Sequence, residues 1–383
     1  MPYLDHNATS PLRAESRAAM ERALAIGGNP SSVHGQGRAA RAEVEEAREA
    51  IAALAGARAE NIVFTSGGTE ANALALWGGV QGAVEAGTRI TRLFVSAIEH
   101  DSVLANAAAL AERAPGLRLE VIPVTSDGVV DLDALRGLLR EGKGRALVAV
   151  MAANNETGAV QSIADIAALL KEHEGYLLVD AVQAMGKIPF SASSADFVSL
   201  SAHKIGGPQG VGALIVKEGA PLNATLLGGG QERGHRAGTE NVAGIAGFGA
   251  AAKVATPLPA TLRDRFEADL RLAVPNVVIF GETVARLPNT SNFALPAVSA
   301  ETAVMALDLD GVMVSFGSAC SSGKVRPSHV LQAMGVPEAI ARSALRVSFG
   351  WNSTDQDVDA AISSISQLLA RVRSRAAPLP CSC

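Results

Sequence analysis

Aromatic residues make up only 4% of this 383-residue chain, so its core must be packed from Ala, Val, Leu and Ile. Cysteine is also scarce. Cys320, Cys381 and Cys383 are too few for a disulfide framework in a chain this long, and Cys320 reads as a free thiol. No uninterrupted apolar run reaches the length of about eighteen residues that suggests a membrane span. The start, Met1-Pro2-Tyr3-Leu4-Asp5-His6, has neither the basic region nor the apolar run of a secretory signal. The expectation is a cytoplasmic protein with no membrane partner. Neither sign of charge dominates: 33 basic against 38 acidic residues leave a net −5, which gives no electrostatic reason to expect nucleic acid.

What is present points to a compact enzyme. Apolar residues reach 48% and charged ones 19%, and a chain of this length favours two unequal domains over one. Residues 11–24 read as a helix opened by Ser10 and Pro11, and residues 38–54 as a second helix with charges on one face, stopped at Gly56. An alternating rhythm follows. Apolar runs at residues 62–64, 93–95, 147–150, 176–179 and 212–216 are separated by helical patterns, the sign of an α/β fold with a largely parallel sheet. Ligands collect at the carboxyl ends of such strands. After about Gly249 the text changes, and a smaller α+β domain is expected, with helices near residues 262–272, 301–309, 329–334 and 355–373. Strands are expected near residues 277–280 and 291–295, and a loose tail at 378–383.

Reactive residues stand where the runs end. Lys204, in Ser201-Ala202-His203-Lys204-Ile205-Gly206-Gly207, follows the apolar segment at residues 196–200 and precedes a glycine turn. A strand can deliver such an amine into a cleft, where partial desolvation makes it a nucleophile toward a carbonyl; a solvated lysine at a strand end is the alternative. Thr65-Ser66-Gly67-Gly68-Thr69-Glu70 passes from a strand into a helix, and reads either as an anion site of backbone N–H groups or as an ordinary helix cap. Asp180 ends the run Leu177-Leu178-Val179, with Gln183 three residues on. It calls for a cationic partner such as a protonated ring nitrogen, or else serves as a structural ion pair or cap. His100, after residues 93–98, is a catalytic candidate that can stack on a flat ring and exchange protons, or else cap the next helix. Cys320 lies in Gly317-Ser318-Ala319-Cys320-Ser321-Ser322-Gly323, a setting of small residues that suits a reactive thiol, although free cysteines are commonly buried.

Together these segments resemble the cysteine desulfurases of the NifS and IscS type, in the class V, fold type I pyridoxal phosphate enzymes. The resemblance runs nearly end to end. It includes Tyr3-Leu4-Asp5-His6-Asn7-Ala8-Thr9, Gly28-Asn29-Pro30-Ser31-Ser32-Val33-His34, Asn154-Asn155-Glu156-Thr157-Gly158 and Val179-Asp180-Ala181-Val182-Gln183. It continues through Gly228-Gly229-Gly230-Gln231-Glu232-Arg233-Gly234, Arg236-Ala237-Gly238-Thr239-Glu240-Asn241 and the Cys320 segment. His235 and Ala71 depart from the common pattern. The resemblance implies a large cofactor-binding domain on a mostly parallel seven-stranded sheet (residues 16–255) and a small α+β domain (residues 256–383). Residues 1–15 would join the small domain.

By the same resemblance, Lys204 carries pyridoxal 5'-phosphate, Asp180 binds its ring nitrogen, Gln183 its ring hydroxyl, and His100 stacks on the ring. Gly68, Thr69, Ser201 and His203 hold the phosphate, with Thr239 reaching it from the other subunit of a homodimer. Asn155 and Arg346 address the substrate carboxylate, for which a guanidinium fork is apt. The implied reaction converts L-cysteine to L-alanine. Lys204 moves the α-proton, Cys320 thiolate takes the sulfur as a persulfide, and an acceptor such as an iron–sulfur scaffold protein receives it. Cys320 is also a candidate transient ligand for an iron–sulfur cluster, and Cys381 and Cys383 are either an inert tail or a sulfur- or metal-binding one. A selenocysteine lyase or an aminotransferase on the same fold is the second reading. A catalytically silent sulfur-transfer scaffold is the third, and the intact Lys204, Asp180, Cys320 and Arg346 argue against it.

Overall fold

Branched apolar runs form the strands of the main sheet because both faces of that sheet are covered. Strands β1 (Ile62–Thr65), β2 (Ile90–Ser96), β3 (Arg118–Ile122), β4 (Arg145–Met151), β5 (Tyr176–Asp180), β6 (Phe197–Ser201) and β7 (Gly212–Val216) lie in the order β1-β7-β6-β5-β4-β2-β3. The structure, a computed structural model, describes residues 1–295, 298–316 and 328–376. Along β4 the side chains alternate between two cores: Val148 and Val150 pack toward the helices Gly35–Ala55 and Val242–Val254, and Leu147 and Ala149 toward Asp101–Arg113. A strand buried on both faces has no polar alternation, which is why these runs are continuous.

Pairing is parallel from β3 through β6, whereas β7 runs antiparallel to both β6 and β1. The carboxyl ends of β1, β2, β4, β5 and β6 therefore share one edge of the sheet. β1 is an outer strand, and its outward backbone groups are occupied by side chains. Glu232 accepts from the Phe64 N–H at 2.8 Å, and Arg48 donates to the Ile62 carbonyl at 2.8 Å. Those two side chains also form a buried, two-bonded ion pair at 2.9 Å. Glu232 sits at φ +46° and Arg233 at φ +56°, a left-handed backbone that non-glycine residues seldom adopt.

A second, antiparallel sheet contains β8 (Val278–Ile279), β9 (Thr290–Ala294), β10 (Ser315–Phe316) and β11 (Ala344–Ser348), in the order β10-β11-β9-β8. The helices Thr261–Ala273, Ala300–Leu309 and Asp355–Ala376 back it around Phe266, Phe293 and Phe349. The N-terminal segment joins this unit, with Tyr3 bridging to Met313 and Asp5 to Ser348.

Several boundaries differ from the sequence expectation. The first helix spans Ala14–Ile26 and does not open at Ser10 and Pro11, because that stretch is held elsewhere: the Ser10 N–H donates to the His203 carbonyl and Arg13 N–H to that of Gly206. The second begins earlier, at Gly35, where the His34 ring accepts from the Gly37 N–H. β3 and β11 are additional strands. β3 is an edge strand with Arg118 and Val121 exposed, and β11 carries a buried arginine at its centre; neither looks like an apolar run.

Candidate active site

At the shared edge of the main sheet, where the second sheet faces it, lies a cavity of about 250 Å³. Each contributing element delivers a residue by ending there. Asp180 is the last residue of β5, Ser201 the last of β6, and Lys204 closes the single turn Ala202–Lys204 that follows. His100 caps the helix Asp101–Arg113, and Gly68 and Thr69 begin a helical segment after β1. Gln183, Asn155 and His203 line the same space, and Arg346 enters from β11 of the other sheet. Thr239 is not brought in: it is exposed on its own chain. Cys320, Cys381 and Cys383 lie outside the described residues. Among the described residues no group of three or more His, Cys, Asp or Glu side chains is placed to hold a metal ion.

The site's polar groups are fixed by short bonds. Lys204 Nζ donates to the backbone carbonyls of Asn7 and Ala8 at 2.6 and 2.7 Å. Asp180 accepts from Asn72 Nδ2 at 2.8 Å and from the Val182 N–H at 3.0 Å. Asn72 Nδ2 donates as well to Ser102 Oγ at 3.0 Å, and that oxygen lies 2.8 Å from His100 Nδ1. The Ser102 N–H also donates to Nδ1, at 3.0 Å, so Nδ1 is an acceptor and the ring proton of a neutral His100 resides on Nε2. A continuous chain of bonds thus links the Asp180 carboxylate to the His100 ring. Arg346, 1% exposed, donates from Nη2 to Asp5 Oδ1 at 2.6 Å and from Nη1 to the Asn155 carbonyl at 3.0 Å.

Burial sets the protonation of the surrounding groups. His203 is lowered to about 4 by burial and then by the charges of Lys204 and Lys187, so it meets a ligand as a neutral hydrogen-bonding ring; its Nδ1 lies 3.1 Å from Thr9 Oγ1. Glu99, fully buried beside His100, is pushed well above the carboxylate range by burial and by Asp180, and accepts from the Met151 N–H at 2.7 Å. Glu156 is raised to about 7, again by burial, and accepts from the Ser328 hydroxyl.

These residues fit the flat pyridine phosphate that the sequence resemblance implies. A Cβ on Gly68 would meet Val182 Cγ2 at 2.8 Å, so a side chain there would crowd the start of the helix. Among the described residues the Asp180 carboxylate is bonded by amide N–H groups and not by a cationic side chain, leaving oxygen lone pairs for a protonated ring nitrogen. Buried Asn72 Oδ1 and Arg346 Nε have no hydrogen-bond partner among the described residues, as expected where a polar ligand completes the site.

Four contributors were not singled out from sequence. Asn7 binds Lys204 and Gln183 through its carbonyl and Asn155 through its side chain, Asp5 pairs with Arg346, and Asn72 with Ser102 supports Asp180 and His100. Asp5 and Asn7 do lie in a stretch that carries the resemblance, but only their long-range contacts give them a task.

Residues 2–361 match the class-V aminotransferase family. The chain is 40% identical over 382 residues to the cysteine desulfurase IscS of Dictyoglomus turgidum, covering 97% of this chain and 95% of that one. Among solved structures it resembles a NifS-like protein at 34% identity, with a TM-score of 0.86 and coverage of 97% and 100%. It also resembles SspA in complex with cysteine at 30% identity, with a TM-score of 0.80 and coverage of 91% and 99%.

Proposed function

We propose, on the premise that this chain belongs to the class-V aminotransferase family, that it is a pyridoxal 5'-phosphate-dependent cysteine desulfurase, taking sulfur from L-cysteine and releasing L-alanine. The observation that carries the reading is the meeting of Lys204, Asp180 and Arg346 in one cavity, from two sheets. An amine, a carboxylate and a guanidinium there match a carbonyl cofactor, its basic ring nitrogen and the carboxylate of an amino acid.

Pyridoxal phosphate, when bound, supplies an electron sink for carbon–hydrogen and carbon–sulfur cleavage. The chain does the rest. Lys204 would hold the cofactor, and its Nζ, when free, would move the proton from the substrate α-carbon. The carbonyls of Asn7 and Ala8 orient that amine. Asp180 keeps a proton on the ring nitrogen, with Asn72 and the Val182 N–H fixing its two oxygens. Gln183 addresses the ring hydroxyl and His100 the ring face, while Gly68, Thr69, Ser201 and neutral His203 bind the phosphate. Arg346 and Asn155 orient the substrate carboxylate. Cys320 thiolate attacks the substrate sulfur: the new S–S bond forms as C–S breaks, the electron pair remains with the β-carbon, and a proton there gives alanine.

The sulfur then passes from Cys320 to an acceptor protein, for which an iron–sulfur scaffold is our choice. We further infer a cytoplasmic homodimer in which the exposed Thr239 of each subunit contributes to the phosphate site of the other. Division into residues 16–255 and 256–383, with residues 1–15 attached to the latter, accords with separate cores around the two sheets.

The test is Cys320→Ala. The variant is expected to retain the yellow cofactor and lose sulfide release from L-cysteine and thiol. Wild-type protein exposed to L-cysteine should gain one sulfur atom on Cys320 by mass spectrometry. Full sulfide release by Cys320→Ala would contradict the assignment, and so would a visible cofactor band that survives Lys204→Ala.

A further inference from the structure

A second lysine lies behind the cavity without lining it. Lys187 is 4% exposed and follows a turn at Gly186, whose φ of +73° favours glycine. Its Nζ donates to Gln183 Oε1 at 2.6 Å and to Asn7 Oδ1 at 2.8 Å. Both acceptors are amide oxygens, so the lysine meets each of them as a donor. Burial, and then the nearby charges of Lys204 and Arg346, hold this amine well below the ordinary lysine range.

These bonds decide the sense of the Gln183 side chain. The two ends of a glutamine amide are alike in shape and opposite in hydrogen bonding. Here Nε2 donates to the Asn7 carbonyl at 2.9 Å while Oε1 accepts from Lys187. Turning the amide over would set its oxygen against the Asn7 carbonyl oxygen and its NH2 against the N–H of Lys187. Both bonds would be lost. Gln183 lines the cavity and Nε2 retains a second N–H, so the lock determines whether the amide offers a ligand a donor or an acceptor.

We propose that Lys187 is a positioning residue for the cofactor: by holding Gln183 Oε1, it keeps the N–H end of that amide available to the ring hydroxyl of pyridoxal phosphate. The inference rests on the reading of the cavity as a pyridoxal phosphate site. A donor at the ring oxygen favours the more negative form of the bound chromophore, so its loss moves the cofactor's visible titration to higher pH.

The experiment uses the full-length holoprotein and follows the visible band of the bound cofactor against pH. Lys187→Met removes the donor and keeps most of the volume. It is expected to fold with the wild-type circular dichroism, to raise the band's midpoint by about one pH unit and to release pyridoxal phosphate about tenfold more readily. Gln183→Leu should displace the midpoint equally, and the double variant no further than either single one. If the methionine variant does not fold, Lys187→Leu carries the same expectations. A lysine with only a structural task would leave the midpoint in place. An unmoved midpoint, or shifts that add in the double variant, would overturn the proposal while the wild-type band stands. A wild-type protein that gains no visible band with pyridoxal phosphate would overturn the cofactor reading and this inference together.

Discussion

Arg346 reaches the cavity from the interior of a strand, with one N–H given to Asp5 and one to the Asn155 carbonyl. A planar fork can keep both bonds and still grip a carboxylate; an ammonium at the end of a flexible stem cannot. Arg346→Lys is therefore expected to lower kcat/KM for L-cysteine by about ten- to a hundredfold, the worth of one charge-assisted bond, with most of the loss in KM. Steady-state alanine formation measures it. Glu156 offers a test through pH. Its carboxyl, raised from 4.5 to about 7, binds a proton more tightly in the folded protein than in the unfolded chain. The stability this confers is fully present below pH 4.5 and is lost as pH rises through 7. Glu156→Gln removes the titration, so the variant should gain on the wild type between pH 5 and 8, by on the order of 3 kcal/mol. A Tm difference that stays constant over that range would refute the assignment. At this scale Lys204, Asp180 and His100 were legible because each follows an apolar run. Asn72 and Ser102 were not, since an asparagine and a serine inside helical patterns give no signal until the helices are packed together.

Elements were legible where burial is two-sided. The runs of β4, β5 and β7 could be read because no position along them meets solvent freely, whereas β3 alternates and β11 carries a polar, buried face. Its Arg346 stands opposite Asn292 on β9 and Ser315 on β10, a polar row that apolar patterning cannot reveal. The guarded edge of β1 was invisible for another reason: Arg48 and Glu232 are 184 residues apart. An outer strand presents backbone groups that could pair with another chain, and here two charged side chains occupy them. Glu232→Ala leaves the buried Arg48 with only the half-exposed carboxylate of Glu45 and should cost about 3 kcal/mol, more than an exposed pair would. Urea unfolding of the two variants settles this: Glu232→Ala should fall far more than Arg58→Ala, whose partners Glu60 and Glu218 are exposed.

Across the whole molecule, the N-terminal segment ties the two sheets to one cavity, and its histidine-rich surroundings make that joint sensitive to acid. His6 and His203 are both lowered to about 4, chiefly by burial. Their neutral forms contribute stability that is fully present above pH 6.5 and lost as pH falls through 4, opposite in sign to Glu156. Scanning calorimetry from pH 7 to pH 4 should show a smaller fall in Tm for His203→Gln than for the wild type. The joint also bears on how the protein is made. Asp5 pairs with Arg346 across 341 residues, and Asn7 waits for Ser348 and Thr290 before its bonds are complete. Most of the main sheet can assemble before β11 is synthesised, but the floor beneath Lys204 and the arginine above it can meet only after β11 has been made. Cofactor capture with full affinity is thus confined to chains in which β11 has been made and has met the segment that holds Asp5 and Asn7.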